Sequence, residues 1–298
     1  MGTEIITREP GVYYDIDIED YHHNFGGISK SGLDDMDKSP AMYYNFHMNP
    51  ARPPRVEKAG QLEGSLAHCA ILEPMEFSKR YAVLPMDAPR KPTEAQWKAA
   101  NPSESSRASM AWWERFSSDN ANKRIIEQAQ YEVAMRQAES AFKLKPAAEL
   151  LARGRAEVSA YWKDPINGEL CRCRPDFAHD ASESEVIILD VKTYSDASPD
   201  EFARQVARKR YHVQDSFYTD GFTFASKRSV LGFVFLAVET DWPFAASCTM
   251  LDREAKEQGA MDYRRNLELY AYCRKTGVWP GYSDDIVTIS MPKWAITK

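Results

Sequence analysis

A short run of β-branched and apolar residues, 186–189, is followed at once by Asp190, Val191 and Lys192. A run of this length and composition favours a strand that is buried on both faces of a sheet. Side chains at positions i and i+2 of a strand point to the same side. We therefore expect Asp190 and Lys192 to share one face at the end of a buried strand.

A second carboxylate lies upstream, where Asp176 ends another strand-like segment, residues 170–174. The connection over residues 178–185 is polar and rich in turn formers, as in a β-hairpin. Such a hairpin brings Asp176 beside Asp190, so that two carboxylates and the ammonium of Lys192 converge. Carboxylate oxygens of this kind bind Mg²⁺ or Mn²⁺. A lysine beside a metal-bound water can position or deprotonate that water, and it can stabilise charge on a phosphate oxygen.

Four elements of the chain, in this order, resemble the RecB-like branch of the PD-(D/E)xK nuclease superfamily. They are the stretch 64–74 with its histidine, Pro175-Asp176, Asp190-Val191-Lys192, and Gln214 with Tyr218 as a QxxxY element. The opening segment, residues 21–44, is similar to the nuclease domain of RecE-type exonucleases. The resemblance covers most of the chain.

The resemblance implies a role for the residues at the strand ends. Asp176 and Asp190 would hold the metal ion, with the backbone carbonyl of Val191 as a further ligand. Lys192 would orient the attacking water and offset charge. A lone histidine within an apolar stretch is otherwise a packing residue, but the resemblance implies that His68 faces the metal.

Other polar residues near these motifs have less defined roles. Gln214 and Tyr218 are neighbours on one helical face, and together with Tyr211 they could face DNA or brace the lysine. Glu157 is either an additional metal ligand, as related nucleases suggest, or an exposed strand acid. A dense basic run is either a solvated face or a phosphate-binding surface; it contains Arg204, Arg208, Lys209 and Arg210.

The succession of elements predicts an α/β fold with a PD-(D/E)xK, restriction-endonuclease-like core. A central mixed sheet flanked by helices is expected from residues 157–162, 170–177, 186–191 and 230–239. A length of 298 residues permits one large or two ordinary domains. We expect a single nuclease domain over residues 1–298, in which 1–150 are a mainly helical elaboration and 151–298 hold the core and the C-terminal helix.

Local signals define several further elements. Ser198 followed by Pro199 opens a helix that is broken near residues 209–211. Other helices are expected over residues 61–72, 108–116, 120–142, 146–153 (with Gly154 as its C-cap) and 252–275 (closed by Gly277), and a strand with its flanks over 77–85. Trp112 and Trp113, on the second of these helices, either stack on bases or pack in the core.

Composition excludes several classes of protein. A hydrophobic fraction of 43% suits a globular chain. No apolar run approaches the roughly 20 residues of a membrane span, and residues 1–10 lack the apolar region of a signal peptide. We therefore expect a cytoplasmic protein, in the host cytoplasm if it is phage-encoded, with no membrane partner. The chain contains no P-loop sequence, so an ATP motor is not expected.

The cysteine count and the net charge add two constraints. Five cysteines, an odd number, make a disulfide framework unexpected. Their spacing also excludes a four-cysteine zinc or iron–sulfur site, which leaves them as small hydrophobic packing residues. A formal charge of −6 gives no support to DNA binding, although affinity for nucleic acid depends on local basic surface.

The resemblance implies a Mg²⁺- or Mn²⁺-dependent exonuclease that degrades double-stranded DNA from its ends, 5′→3′, in recombination of the phage or prophage type. It also implies a homo-oligomer, a tetramer, and a single-strand-annealing recombinase as partner. Two alternatives remain open. One is a PD-(D/E)xK endonuclease of repair or restriction type. The other is a catalytically silent DNA-binding protein of the same fold, against which the intact Asp176, Asp190 and Lys192 argue.

Overall fold

A computed structural model describes residues 8–14, 16–23, 26–54, 56–292 and 295–296 of the chain, with residues 19, 22 and 23 described by their backbone alone. The strands are β1 (Gly11–Tyr13), β2 (Tyr81–Val83), β3 (Arg124–Ile126), β4 (Gly154–Ala156), β5 (Ser159–Lys163), β6 (Leu170–Cys173), β7 (Phe177–Asp180), β8 (Glu185–Tyr194), β9 (Ser229–Glu239) and β10 (Ala246–Thr249).

Helices precede and follow these strands. They are α1 (Ile18–His23), α2 (Lys30–Lys38), α3 (Pro40–Tyr43) with a π-helical continuation (Tyr44–Met48), α4 (Gln61–Leu72), α5 (Pro74–Arg80), α6 (Glu94–Trp97), α7 (Glu104–Asp119), α8 (Gln128–Lys143), α9 (Lys145–Leu151), α10 (Pro199–Lys209), α11 (Tyr211–Ser226) and α12 (Arg253–Thr276).

The central sheet has five strands in the order β10-β9-β8-β7-β4. Strands β8 and β9 run parallel, whereas the other neighbours are antiparallel, so the sheet is mixed. A smaller antiparallel sheet has the order β1-β5-β6, and β2 pairs with β3 in parallel. The predicted α/β fold, with a mixed sheet and flanking helices, is confirmed.

The predicted continuous strand over residues 170–177 is wrong. Strand β6 ends at Cys173 and β7 begins at Phe177, and the two strands belong to different sheets. Pro175 lies between them, and proline cannot donate to a strand ladder. The chain therefore leaves the smaller sheet and enters the central one close to the proline.

The strand predicted over residues 157–162 also differs from the structure. Strand β5 begins at Ser159, and it pairs in the smaller sheet and not in the central one. Glu157 has a φ of 53°, which lies outside the extended region that a strand requires. Glu157 is therefore at a bend between β4 and β5.

Three other elements differ in part from the prediction. The helix expected over residues 120–142 begins only at Gln128, because residues 124–126 pair with β2. The strand expected with its flanks over 77–85 is present as β2, but the residues before it are helical up to Arg80. Gly154 does not cap α9 but begins β4 with a φ of 143°. A Cβ at this position would collide with the carbonyl oxygen of Ala178 in β7, so only glycine fits there.

Signals around the helix ends were read correctly in other places. The side chain of Ser198 accepts a hydrogen bond from the backbone N–H of Glu201 and caps α10. Arg210 adopts the left-handed conformation, with φ 56° and ψ 45°, and separates α10 from α11. Helix α4 has the predicted bounds, and Gly277 caps α12.

The central sheet is covered on both faces, and β8 contributes to each. Val186 and Ile188 pack in a cluster with residues of α10, α11 and α12. Leu189 and Val191 pack in a second cluster with residues of α4 and α8. Asp190 lies two residues after Ile188, so its side chain points to the same face of the sheet, the face covered by α10, α11 and α12.

Among the helices of the described residues, none combines the length and the apolar character needed to cross a bilayer.

Candidate active site

The hairpin of β7 and β8 places the two motif carboxylates opposite one another. The strands are antiparallel with Phe177 across from Leu189, so the preceding Asp176 lies across from Asp190. The hairpin inferred from the polar connection is thus confirmed. Asp176 lies in the short connection between β6 and β7, whereas Asp190 lies within the buried strand β8.

Both carboxylate oxygens of Asp190 have partners, although its side chain is nearly inaccessible to solvent. The side-chain amide of Gln214 donates to Oδ1 across 2.6 Å. The ammonium of Lys192 forms an ion pair with Oδ2. Buried charge is stable only when it is paired and hydrogen-bonded. This carboxylate is therefore held in one orientation by β8 itself and by α11.

Lys192 has a second partner in the ring of Tyr211. Its Nζ lies 4.8 Å from the ring centroid, within the range of a cation–π interaction. Burial tends to lower the pKa of Lys192, but the carboxylates of Asp190 and Asp176 outweigh it and raise that pKa. Lys192 therefore carries a positive charge at neutral pH. The ring of Tyr211 therefore braces the ammonium of Lys192. This is one of the two roles considered for these residues of α11.

A second cluster of donor atoms lies around Asp176. One donor atom from each of His68, Glu157 and Asp176 can be chosen so that all three lie within 4.8 Å of one another. His68 Nδ1 is 3.4 Å from Oδ2 of Asp176. The backbone N–H of Val191 donates to the same oxygen across 2.7 Å. Helix α4 thus brings a residue more than 100 positions away in sequence into contact with the β7–β8 hairpin.

The electrostatic surroundings of this cluster suit a cation, because a bound cation would offset the repulsion between its carboxylates. Burial, and next the charge of Asp190, raises the pKa of Asp176 well above its usual value. Burial, with repulsion from Lys192, lowers the pKa of His68 to about 4. The imidazole is therefore neutral at pH 7 and can donate a lone pair. Crowded carboxylates beside a neutral imidazole are a donor set that fits Mg²⁺ or, better, Mn²⁺.

Glu157 is not the exposed strand acid that one interpretation allowed. Its Oε2 accepts a 2.7 Å hydrogen bond from Nε of Arg174, and its backbone N–H donates to the carbonyl oxygen of Asp176 across 2.8 Å. Burial raises the pKa of Glu157, and the guanidinium of Arg174 opposes that shift. The bend at Glu157 thus directs a carboxylate into the cluster, and its role as a metal ligand stays a prediction.

Tyr218 and Val191 were also assigned to the site from sequence. Tyr218 lies one helical turn after Gln214, with its ring 6.1 Å from that of Phe233. Burial raises the pKa of its hydroxyl, and the charge of Asp190 acts in the same direction. The hydroxyl is therefore protonated near the carboxylates. Coordination by the carbonyl of Val191 stays a prediction.

Sequence reasoning gave no role to Lys30, at the start of α2. Its Nζ donates to the carbonyl oxygen of Lys209 across 2.7 Å and pairs with Asp34 at 2.7 Å. It also lies 5.6 Å from the centroid of the Tyr211 ring, to which Lys192 is bound as well. The side chain of Ser29 caps α2 by accepting a hydrogen bond from the backbone N–H of Gly32, but a cap defines only a helix start and gives no tertiary neighbour.

The basic run divides into two groups. Arg210 forms ion pairs with Asp34 and Asp37 of α2, and Arg204 pairs with Glu201. Those two arginines therefore have partners within the fold. The side chains of Arg208 and Lys209 are exposed on the last turn of α10. They are the members of the run available for a phosphate-binding surface.

The tryptophans and cysteines follow the packing interpretation in large part. Trp113 is buried, and its indole N–H donates to the carbonyl oxygen of Pro89 across 2.9 Å. Trp112 is half-buried and stacks on Phe116 with ring centroids 4.9 Å apart. All five cysteines are free thiols, and all except Cys248 are buried.

Comparison with known proteins agrees with this geometry. No curated protein matches the chain. The structure of a "Putative exonuclease" from Eubacterium rectale is similar over 94% of this chain and 97% of its own, with a TM-score of 0.57 and 11% identity. The crystal structure of SSO0001 covers 51% of this chain and 68% of its own, with 13% identity and a TM-score of 0.26, which is too low to support an argument.

The similarity to the Eubacterium rectale structure concerns the fold alone, because so few residues are identical. A family model gives the stronger result. The model described as a PDDEXK-like domain of unknown function (DUF3799) matches residues 29–291, a range that contains all the motif residues of the site. The chain therefore belongs to this PDDEXK-like family and, through it, to the PD-(D/E)xK nuclease superfamily.

Proposed function

We propose that this protein is a divalent-metal-dependent nuclease that hydrolyses DNA phosphodiesters from double-stranded ends. The convergence of Asp176, Asp190 and the positively charged Lys192, where the chain enters β7 opposite the middle of β8, carries the proposal. Two carboxylates with an ammonium beside them are the groups needed to bind a metal ion and to stabilise charge on a phosphate. Membership of the nuclease superfamily supports the same conclusion.

Asp176 and Asp190 would hold Mg²⁺ or Mn²⁺, with His68, Glu157 and the carbonyl of Val191 as further ligands. When bound there, the cation supplies Lewis acidity toward the phosphate and the attacking water. The protein's own residues do the positioning. Gln214 fixes the orientation of the Asp190 carboxylate, so that its oxygens need no rearrangement during the reaction.

Lys192 acts as a fixed positive charge and not as a base. Its raised pKa keeps the ammonium protonated at neutral pH, so it can donate hydrogen bonds to the attacking water or to a phosphate oxygen. Tyr211 and Asp190 hold the ammonium from two sides. A preorganised charge stabilises the transition state without the cost of reorientation.

The finer features of the activity rest on the resemblance to RecE-type exonucleases. They are 5′→3′ polarity, a role in recombination of the phage or prophage type, a tetrameric assembly, and a single-strand-annealing recombinase as partner. The side chains of Arg208 and Lys209 on α10 are exposed, which supports contact with a phosphate backbone.

One assay tests the proposal. Linear duplex labelled at the 5′ or the 3′ end, covalently closed circular duplex and single-stranded DNA are each incubated with Mg²⁺, Mn²⁺ or EDTA. We expect linear duplex to be degraded with metal and without ATP, with early release of the 5′ label and survival of the circle. Cutting of the circle as fast as linear duplex would replace the proposal with an endonuclease. Binding of DNA without cleavage in either metal would replace it with a silent DNA-binding protein.

A further inference from the structure

The chain beyond α12 is an extended tail with the pattern of a β-strand. Residues 281–292 are exposed and belong to no helix or strand of the described residues. Val287, Ile289 and Met291 alternate with small polar residues, and their side chains are 61%, 87% and 63% exposed. Residues 286–291 contain no charge and no proline. Alternating β-branched and apolar residues of this kind favour a strand with one buried face.

The central sheet has an edge, on β10, to which no further strand of the described residues is paired. Strand β10 is the last in the order of its sheet. The backbone N–H of Glu239 donates to the carbonyl oxygen of Ala245, so residues 245, 247 and 249 face β9 and the amides of 246 and 248 face outward. Natural edge strands are protected by charges, prolines or bulges. Residues 246–250 contain neither a charge nor a proline.

We propose that the tail of one copy of this chain pairs with the β10 edge of a second copy, as an added antiparallel strand. One register places apolar residues on the same face. It sets Val287 opposite Met250, Ile289 opposite Cys248 and Met291 opposite Ala246. The side chains of Ala246 and Cys248 already pack on the cluster shared by α4 and α8, so the tail extends that apolar face.

The same register brings opposite charges together. It sets Asp284, three residues before Val287, beside Arg253, three residues after Met250. Both side chains are exposed, and Arg253 is otherwise bound only to Glu257 on its own helix among the ion pairs of the described residues. The alternative, parallel direction would carry the acidic end of the tail away from Arg253. Complementary charge therefore selects the antiparallel direction.

The tail cannot reach the β10 edge of its own chain. Trp279 stacks on Tyr43 with ring centroids 5.6 Å apart, and the carbonyl oxygen of Pro280 accepts from the N–H of Ala41. The tail is therefore anchored near Tyr270, 17 residues and about 26 Å along α12 from the helix start that follows β10. In the proposed register Asp284 lies beside Arg253, but the four extended residues from Pro280 to Asp284 span at most about 14 Å, which is too short to cover that distance. The partner edge must belong to another copy.

The self-association of the protein over residues 1–298 tests the proposal without any assay of cleavage, so its failure is distinguishable from failure of the proposed nuclease function. By sedimentation velocity, wild-type protein should be oligomeric at about 100 μM, where contacts of micromolar affinity are saturated. Ile289→Glu, which would bury a charge in the interface, should raise the dissociation constant by about thirtyfold or more. Ile286→Glu, a matched control on the opposite face of the tail, should change it by less than about threefold.

A charge exchange tests the direction of pairing. Asp284→Arg and Arg253→Asp should each weaken association by about three- to fivefold, the size of an exposed ion pair. The double variant should return to within about twofold of wild type, which general damage to folding could not produce.

A crosslink tests the register. Cα atoms in a directly hydrogen-bonded pair lie about 5.5 Å apart, which a disulfide spans. Ile289→Cys should therefore form an intermolecular disulfide with the half-buried Cys248 on oxidation, and the added change Cys248→Ser should abolish it. Monomeric wild-type protein at about 100 μM, undiminished association of Ile289→Glu, or no recovery in the charge exchange would each overturn the proposal.

Discussion

The side-chain amide of Gln214 donates a 2.6 Å hydrogen bond to Oδ1 of Asp190, and both side chains are almost fully buried. The pair joins the middle of the α/β core to helix α11, across 24 residues of sequence. It leaves Oδ2 of Asp190 to the ammonium of Lys192. Orientation of the candidate catalytic carboxylate therefore depends on how α11 packs against the sheet.

We predict that Gln214→Leu lowers kcat on linear duplex by about tenfold to a hundredfold, because a misplaced ligand loses preorganisation while the metal can still bind. Gln205→Leu is the matched control, since Gln205 is also a buried helical glutamine, bonded to Glu201 away from the site. Steady-state cleavage and circular dichroism check the prediction. Equal losses in the two variants would show that Gln214 acts only through folding.

Asp190→Asn should abolish cleavage, with a loss of about a thousandfold or more, because the amide cannot replace a charged metal ligand. The fold should persist, since the amide oxygen still accepts from Gln214. Asp215→Asn is a suitable control. Asp215 is buried on α11, and burial raises its pKa to about 6, but it does not belong to the donor cluster of His68, Glu157 and Asp176 found among the described residues. Residual cleavage within about tenfold of wild type would remove Asp190 from the mechanism.

Lys192→Ala should lose most of the cleavage rate and keep the affinity for Mn²⁺. The ammonium contacts Asp190 and the Tyr211 ring, not the donor atoms around His68. Removing a positive charge near a cation site does not weaken cation binding. Calorimetric titration with Mn²⁺, together with single-turnover cleavage, measures both quantities. A loss of Mn²⁺ affinity as large as that of an Asp176 variant would show that the lysine organises the metal site.

Asp176→Asn should raise the melting temperature in EDTA at pH 7 by a few degrees, although it abolishes metal binding. The folded-state pKa of Asp176 is raised, so the unfolded chain releases this proton at lower pH than the folded one. Stability is then lost as pH rises from about 4 through the folded pKa, and the loss is present at pH 7. Asparagine carries no charge, so the variant does not lose this stability as the pH rises.

Melting curves at pH 7 and at about pH 3.5 check the sign, because below both pKa values the advantage of asparagine disappears. A variant that is less stable than wild type at both values would mean that the hydrogen bond from Val191 to the carboxylate outweighs the cost of burying its charge.

Affinity for Mn²⁺ should fall as the pH is lowered from 7 to 5, above the range in which an ordinary aspartate titrates. Protons compete with the cation for Asp176 and Glu157, and burial raises the pKa of both. His68, with a pKa of about 4, stays neutral over this range. His68→Asn should therefore weaken binding without moving the midpoint of the pH profile. Calorimetric titration with Mn²⁺ at several pH values tests both expectations. A shifted midpoint of the pH profile in His68→Asn would contradict the second one.

The sequence by itself determined the elements whose causes are local. The apolar run before Asp190 has the composition of a buried strand, and period two places Asp190 and Lys192 on one face. The polar connection before it predicts the hairpin that sets Asp176 opposite Asp190. The caps at Ser198 and Gly277 mark helix ends through bonds to residues within one turn. Each of these signals lies within a few residues of the structure it specifies.

Only the tertiary structure decided which sheet each strand joins. Residues 170–177 read as one strand, yet β6 and β7 belong to different sheets, because strand composition records burial and not the identity of the partner. Residues 124–126 read as helix, but their pairing with β2, some 40 residues away, overrides local propensity.

The surroundings of the site were likewise set by packing. Glu157 reaches the donor cluster through a left-handed bend and a bond to Arg174. Lys30 meets the Tyr211 ring although 181 positions separate them. Contacts of this kind depend on how helices pack across the sheet, and that packing is a property of the whole core. The sequence thus predicted which groups to expect at the candidate site, and tertiary packing decided their partners, their charge states and their orientation.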